Sequence, residues 1–183
     1  MLQPETPRRS RLGWAYALAF LPAAALTWGP HELAHWAMGR LLGYRMWISL
    51  NQVGLVEGEY DSVRDRILVA LAGPLVTGLQ ALLSYELIER WRKPWLYPLL
   101  FLTVWTRGLA MVVSLKNPND EAEASALLGL SPWVLPTLVV TGLLLLTIAG
   151  SRKLRLGWRA NLVAYLMSSL VTAAIVLADQ GHL

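Results

Sequence analysis

Residues 12–42 read LGWAYALAFLPAAALTWGPHELAHWAMGRLL, an apolar run that passes without a charged residue into the pentad His31-Glu32-Leu33-Ala34-His35. A helix needs about 20 apolar residues to cross a hydrocarbon core, and the run before the pentad is close to that length. The pentad therefore sits at or within a membrane. On a helix, residues four apart lie one turn apart on the same face, so both imidazoles reach a single ion. Glu32, about 100° round the helix, then approaches a water held there. The chain has three histidines in all and places two of them here. An ionisable group in a membrane segment is a functional hypothesis by default.

Composition agrees with a membrane setting. The chain has 183 residues, 55% hydrophobic and 15% charged, where soluble domains carry about 25% charge. It has no cysteine, which excludes a disulfide framework and a thiolate metal site and leaves His, Asp and Glu as metal donors. The net charge is +4, with the basic residues beside apolar segments. That placement suits lipid headgroups, and no nucleic-acid partner is expected.

Five apolar segments stand out, at 12–28, 67–85, 95–115, 133–149 and 160–178. The fold class they predict is an all-α membrane protein of about five transmembrane helices. The first helix continues through the pentad to Leu42, with Gly29-Pro30 as a kink or the start of a second helical piece. Trp14, Trp28, Trp95, Trp133 and Trp158 lie near segment ends, as interfacial aromatics do. Residues 45–50 and 54–60 alternate in part, which predicts a small interfacial β-hairpin or strand pair after the first helix. No repeat or long linker divides the chain, so residues 1–183 read as a single integral membrane domain. Its catalytic core is expected at about 12–123 and its accessory helices at about 132–178. The arginine-rich start is read as the flank of a retained span, and the basic residues place the N-terminus in the cytoplasm. The expected location is a prokaryotic cell membrane, crossed several times.

A catalytic zinc takes three protein ligands and leaves a fourth position for water. His31 and His35 supply two, and His182 lies too near the chain end to fix a third. The acidic stretch 116–123 is the better source, with Asp120 as first choice and Glu121 and Glu123 as alternatives. The ends of the first and third spans emerge on one side of the membrane, so the two regions can meet. The competing reading of this stretch is a solvated loop whose acids cap a helix at 122–128. Arg107 falls in the middle of the third span, where an unpaired guanidinium costs at least ~2.5 kcal/mol. It must face the bundle or a wet cavity. Pairing with Asp120 is not expected, since thirteen residues of continuous helix span ~20 Å.

Three motifs together resemble the site-2 protease family of intramembrane zinc metalloproteases. They are the pentad, Arg66-Ile67-Leu68-Val69-Ala70-Leu71-Ala72-Gly73-Pro74, and Asn117-Pro118-Asn119-Asp120. The resemblance covers roughly residues 12–123. It implies Zn²⁺ held by His31, His35 and Asp120, with Glu32 as general base and Asn117 as substrate anchor or second oxyanion donor. It also implies a transmembrane protein or peptide substrate, paired along the 45–60 element by strand addition. The chain departs from the family at Thr77, where Asn is frequent, and at Glu121, where Gly usually follows the Asp. The alternatives are a membrane zinc hydrolase with a soluble peptide or other amide substrate, and a non-proteolytic membrane protein. The latter would be a transporter or assembly factor with a degenerate or structural metal site.

Overall fold

The computed structural model describes residues 13–181; the expectations placed on residues 1–12 and on His182 lie outside them. The elements in chain order are α1 (Trp14–Leu18), α2 (Phe20–Leu41), β1 (Met46–Ile48), β2 (Val53–Leu55), α3 (Val63–Trp91), α4 (Tyr97–Val113), α5 (Asp120–Leu127), α6 (Val134–Lys153) and α7 (Trp158–Asp179). A 3-10 turn, Pro94–Leu96, leads into α4.

Among the described residues four helices are long and apolar enough to cross a membrane: Val63–Trp91, Pro94–Val113, Val134–Lys153 and Trp158–Asp179. The chain is accordingly an all-α, multi-pass membrane protein with one small sheet. The expected fifth span corresponds to α1 and α2. At 22 residues α2 measures about 33 Å, but Thr27, His31, Glu32, His35 and Arg40 keep it out of that set.

The break in this first segment falls at Ala19, between α1 and α2, and not at Gly29-Pro30, which lies inside α2. Pro30 has no N–H to give the carbonyl of Leu26 four residues back. The side chain of Gln80 on α3 supplies the missing donor, its Nε2 standing 2.9 Å from Leu26 O. An inter-helix hydrogen bond thus repairs the defect that would otherwise have ended the helix.

Burial is inverted relative to a soluble bundle. On α3, Leu75, Leu79, Leu82 and Leu83 point outward, Leu79 at 66% exposed, while Thr77 (1%) and Ser84 are enclosed. Thr103, Ser125, Thr147 and Ser168 are enclosed in the same way. Small polar residues at helix contacts and leucine on the outside is the pattern of helices solvated by lipid. Inside, Phe20, Ile88, Tyr97, Leu100 and Leu102 form the apolar core that joins α2, α3 and α4.

The hairpin is shorter than the alternation suggested. Met46 pairs with Leu55, Trp47 with Gly54 and Ile48 with Val53, in antiparallel register. Its turn is pinned on two sides. Trp28 Nε1 on α2 donates to Asn51 Oδ1 at 2.9 Å. The Asp179 carboxylate at the end of α7 accepts from Leu50 N at 2.9 Å and from Ser49 Oγ at 3.1 Å.

Candidate metal centre

The centre forms where α2 packs against α3 and the start of α5. His31 and His35 are one turn apart on α2, and their rings meet edge to face. Both are buried. The His31 and His35 Nε2 atoms are 3.2 Å apart, and Asp120 Oδ2 lies 3.2 Å from the first and 3.6 Å from the second. Among the described residues these three form a group able to hold a metal ion. Donors at about 2.0–2.1 Å from a tetrahedral ion stand about 3.3–3.4 Å from one another, so the triangle has the dimensions of one face of that tetrahedron.

The rings are set by α3. His35 Nδ1–H donates to the Val69 carbonyl at 2.7 Å; a carbonyl only accepts, so this nitrogen carries the proton and Nε2 of the neutral ring is a lone pair. His31 Nδ1 is 2.9 Å from Thr77 Oγ1, and with Nδ1–H donating there its Nε2 is likewise free. Two lone pairs and a carboxylate oxygen then converge as three acceptors, an arrangement that a cation completes. Such contacts to the far nitrogen fix the tautomer and orientation of metal-binding histidines. Gly73 lies midway between Val69 and Thr77 on the same helical face. A Cβ there would overlap His35 Nε2 and His31 Cε1.

Asp120 arrives by a fold that the helical count excluded. Instead of continuing, α4 stops at Val113. The Ser114 hydroxyl accepts from Asn119 N at 3.0 Å, and the turn between them returns the chain toward α4. Arg107 Nη1 is consequently 2.8 Å from Asp120 Oδ2, and 3.3 Å and 3.4 Å from the two Glu121 oxygens. The expectation that Arg107 and Asp120 stay apart is thus overturned. It failed because ~20 Å is the length of an unbroken helix, and the residue before Pro118 is disfavoured in one. The acidic stretch does form a helix N-terminus, but α5 begins at Asp120 with Asn119 as its cap, two residues before the expected start at 122.

On Asp120, burial is the largest single influence and acts to raise the carboxyl, yet the bonds that His31 and His35 donate when their Nε2 atoms are protonated, together with the Arg107 guanidinium, outweigh it. The group is held well below the usual carboxylate range. Glu121 is raised, because its burial outweighs Arg107. The two alternative third ligands are engaged elsewhere, Glu121 with Arg107 and Glu123 with Arg66 on α3.

Glu32 is buried and lines the same cavity, with no hydrogen-bond partner among the described residues. The cavity measures about 620 Å³ and runs from the histidine pair past Asn117 to Trp47 and Gln52 of the hairpin. Asn117 sits exposed on its wall. Trp36, beside His35 in sequence, lies outside the cavity lining, with Arg40 over its ring. A second, apolar cavity of about 450 Å³ between α2 and α7 meets the first at Trp28 and Glu32.

Sequence pattern alone does not place Val69, Gly73 and Arg107 in this centre, and it marks Thr77 only as a departure from the family's Asn. The four-residue spacing of Val69, Gly73 and Thr77 was the available signal. No family model, curated protein or solved structure matches the chain at a significant level.

Proposed function

We propose that this chain is an intramembrane zinc metalloprotease that hydrolyses peptide bonds in or near transmembrane segments of membrane proteins. The observation that carries the reading is the triangle of His31, His35 and Asp120, whose donor atoms are 3.2–3.6 Å apart, with a free carboxylate, Glu32, on the wall of the same cavity.

His31, His35 and Asp120 would hold the ion at the cavity wall. Bound there, zinc supplies a Lewis acid that polarises the scissile carbonyl and lowers the pKa of water toward ~7. Glu32 accepts a proton as the water oxygen attacks the carbonyl carbon. It returns that proton to the amide nitrogen as the C–N bond breaks, so the products are one carboxylic acid and one amine. Asn117 offers an N–H donor to the substrate from the cavity wall. The hairpin supplies backbone groups for an extended segment, which must unwind for its amides to be reached. A cavity of this volume admits both water and several residues of extended chain. The apolar cavity between α2 and α7 suits a hydrophobic substrate, since it approaches Glu32 without crossing polar surface.

The test is cleavage of a membrane-spanning peptide by protein reconstituted in lipid vesicles, wild type against Glu32→Gln. Cleavage by the first, abolished by chelation and absent in the second, is expected. Equal cleavage by both sinks the role of Glu32. Stoichiometric zinc with no cleavage of membrane or soluble peptides points instead to a structural site in a transporter or assembly factor.

A further inference from the structure

We infer that Arg107 is a positioning residue, whose guanidinium holds the Asp120 carboxylate on the histidine pair while Glu121 serves as its counter-ion. The inference rests on the reading above in one respect, that His31, His35 and Asp120 are the metal-holding set.

Asp120 is not naturally directed at the histidines. As the first residue of α5, it lies beside backbone N–H groups that have no helical acceptor, and these attract a carboxylate at a helix N-terminus. Short acidic side chains readily make such local bonds. The segment that delivers Asp120 is a turn in which residues 115–118 are exposed, a loose mounting for one corner of a metal site. Asp120 Oδ2 nonetheless lies 2.8 Å from Arg107 Nη1 and 3.2 Å from His31 Nε2. The anchor at the other end is rigid. Arg107 belongs to the body of α4, which packs against α2, α3 and α6, and is 7% exposed. The same helix framework therefore carries both the histidines and the group that aims the third donor.

Glu121 completes the device. It is 3% exposed and meets Arg107 Nη1 with both oxygens, so the guanidinium is fixed between two consecutive carboxylates. Asp120 and Glu121 share the one nitrogen Nη1, carried in a set direction at the end of a rigid planar group, whereas a lysine ammonium on a flexible stem would supply charge alone. No catalytic step requires Glu121, which leaves the orientation of Arg107 as its visible task.

The sign of the effect on metal affinity separates positioning from plain charge. A fixed cation beside a ligand carboxylate repels a divalent ion. If charge were all that Arg107 contributed, its removal would tighten metal binding. If Arg107 aims the carboxylate, its removal weakens binding, and loss of a partner that orients a ligand typically costs about 10–100-fold in affinity.

The experiment is titration of purified, detergent-solubilised protein with Zn²⁺ against a chelator of known affinity, with near-ultraviolet circular dichroism to confirm folding. The variants are Arg107→Met, Arg107→Lys and the double Arg107→Met/Glu121→Gln. Arg107→Met is expected to weaken zinc binding about 10–100-fold. The double variant, which also removes the buried Glu121 charge that the single one leaves unpaired and so guards against misfolding, is expected to stay weak. Arg107→Lys is expected to recover only part of the loss. Affinity equal to or tighter than wild type in any folded variant of the three overturns the inference. Wild-type protein that binds no zinc overturns the reading of the centre itself, and the inference with it.

Discussion

Gly73 and His35 approach so closely that α3 has no room for a methyl group between its backbone and the imidazole. Gly73→Ala should therefore remove metal binding without unfolding α3. Alanine is the better helix former by about 1 kcal/mol, so the helix itself does not suffer. Zinc content below about a tenth of wild type, in protein whose helical circular dichroism is unchanged, is the expected result; loss of a group that orients a ligand by itself costs about 10–100-fold. Full zinc content in Gly73→Ala would show that the rings are not seated as described.

Thr77 stands where the resembling family often has Asn, and its hydroxyl is 2.9 Å from His31 Nδ1. Thr77→Val keeps the shape and removes the polar atom, leaving the His31 nitrogen without its partner. Zinc affinity should fall about 10-fold or more, while Thr77→Ser should bind close to normally. Chelator competition on the two variants checks this. Equal affinities would deny Thr77 an orienting role.

In the proposed reaction Glu32 is the general base and not a ligand, since the group able to hold an ion forms without it. Glu32→Gln should keep one zinc per chain and lose activity by a factor of about 10² or more, the range that general acid–base catalysis contributes. Elemental analysis beside the peptide assay separates the two effects. Loss of zinc in this variant would make Glu32 a ligand.

Much of this arrangement was legible in the sequence because it is local or nearly so. Apolar segments of spanning length, the His31–His35 spacing and the alternation around the hairpin each follow from a short stretch of residues. Alternating topology brought the Asp120 region to the same side as the pentad. What escaped depends on where helices stop and on backbone atoms. Arg107 meets Asp120 only because α4 ends at Val113 and the Ser114–Asn119 turn folds back. Pro118 marked that break, but no local pattern sets the direction of the return. The His35 bond goes to a main-chain carbonyl, which no side-chain pattern records. Pro30 read as a kink because the rescue by Gln80 comes from a different helix.

Asp179 ties the end of α7 to the hairpin turn through Ser49 and Leu50. Asp179→Ala should free that turn without disturbing the ligands. The expected outcome is faster amide exchange at Leu50, unchanged zinc content, and a stability loss of about 0.5–1.5 kcal/mol or less, the net worth of a hydrogen bond. Hydrogen-exchange mass spectrometry on the peptide containing residues 46–55 makes the comparison. Unchanged exchange would mean that Trp28 and the strand pairing hold the turn alone.

The most direct measurement is the zinc content of purified protein after chelation and reloading, wild type against Asp120→Ala. The account requires one equivalent in the wild type and a loss of tight binding in the variant, because Asp120 Oδ2 is the third corner of the triangle. An Asp120→Ala protein that retains one equivalent at wild-type affinity would contradict it.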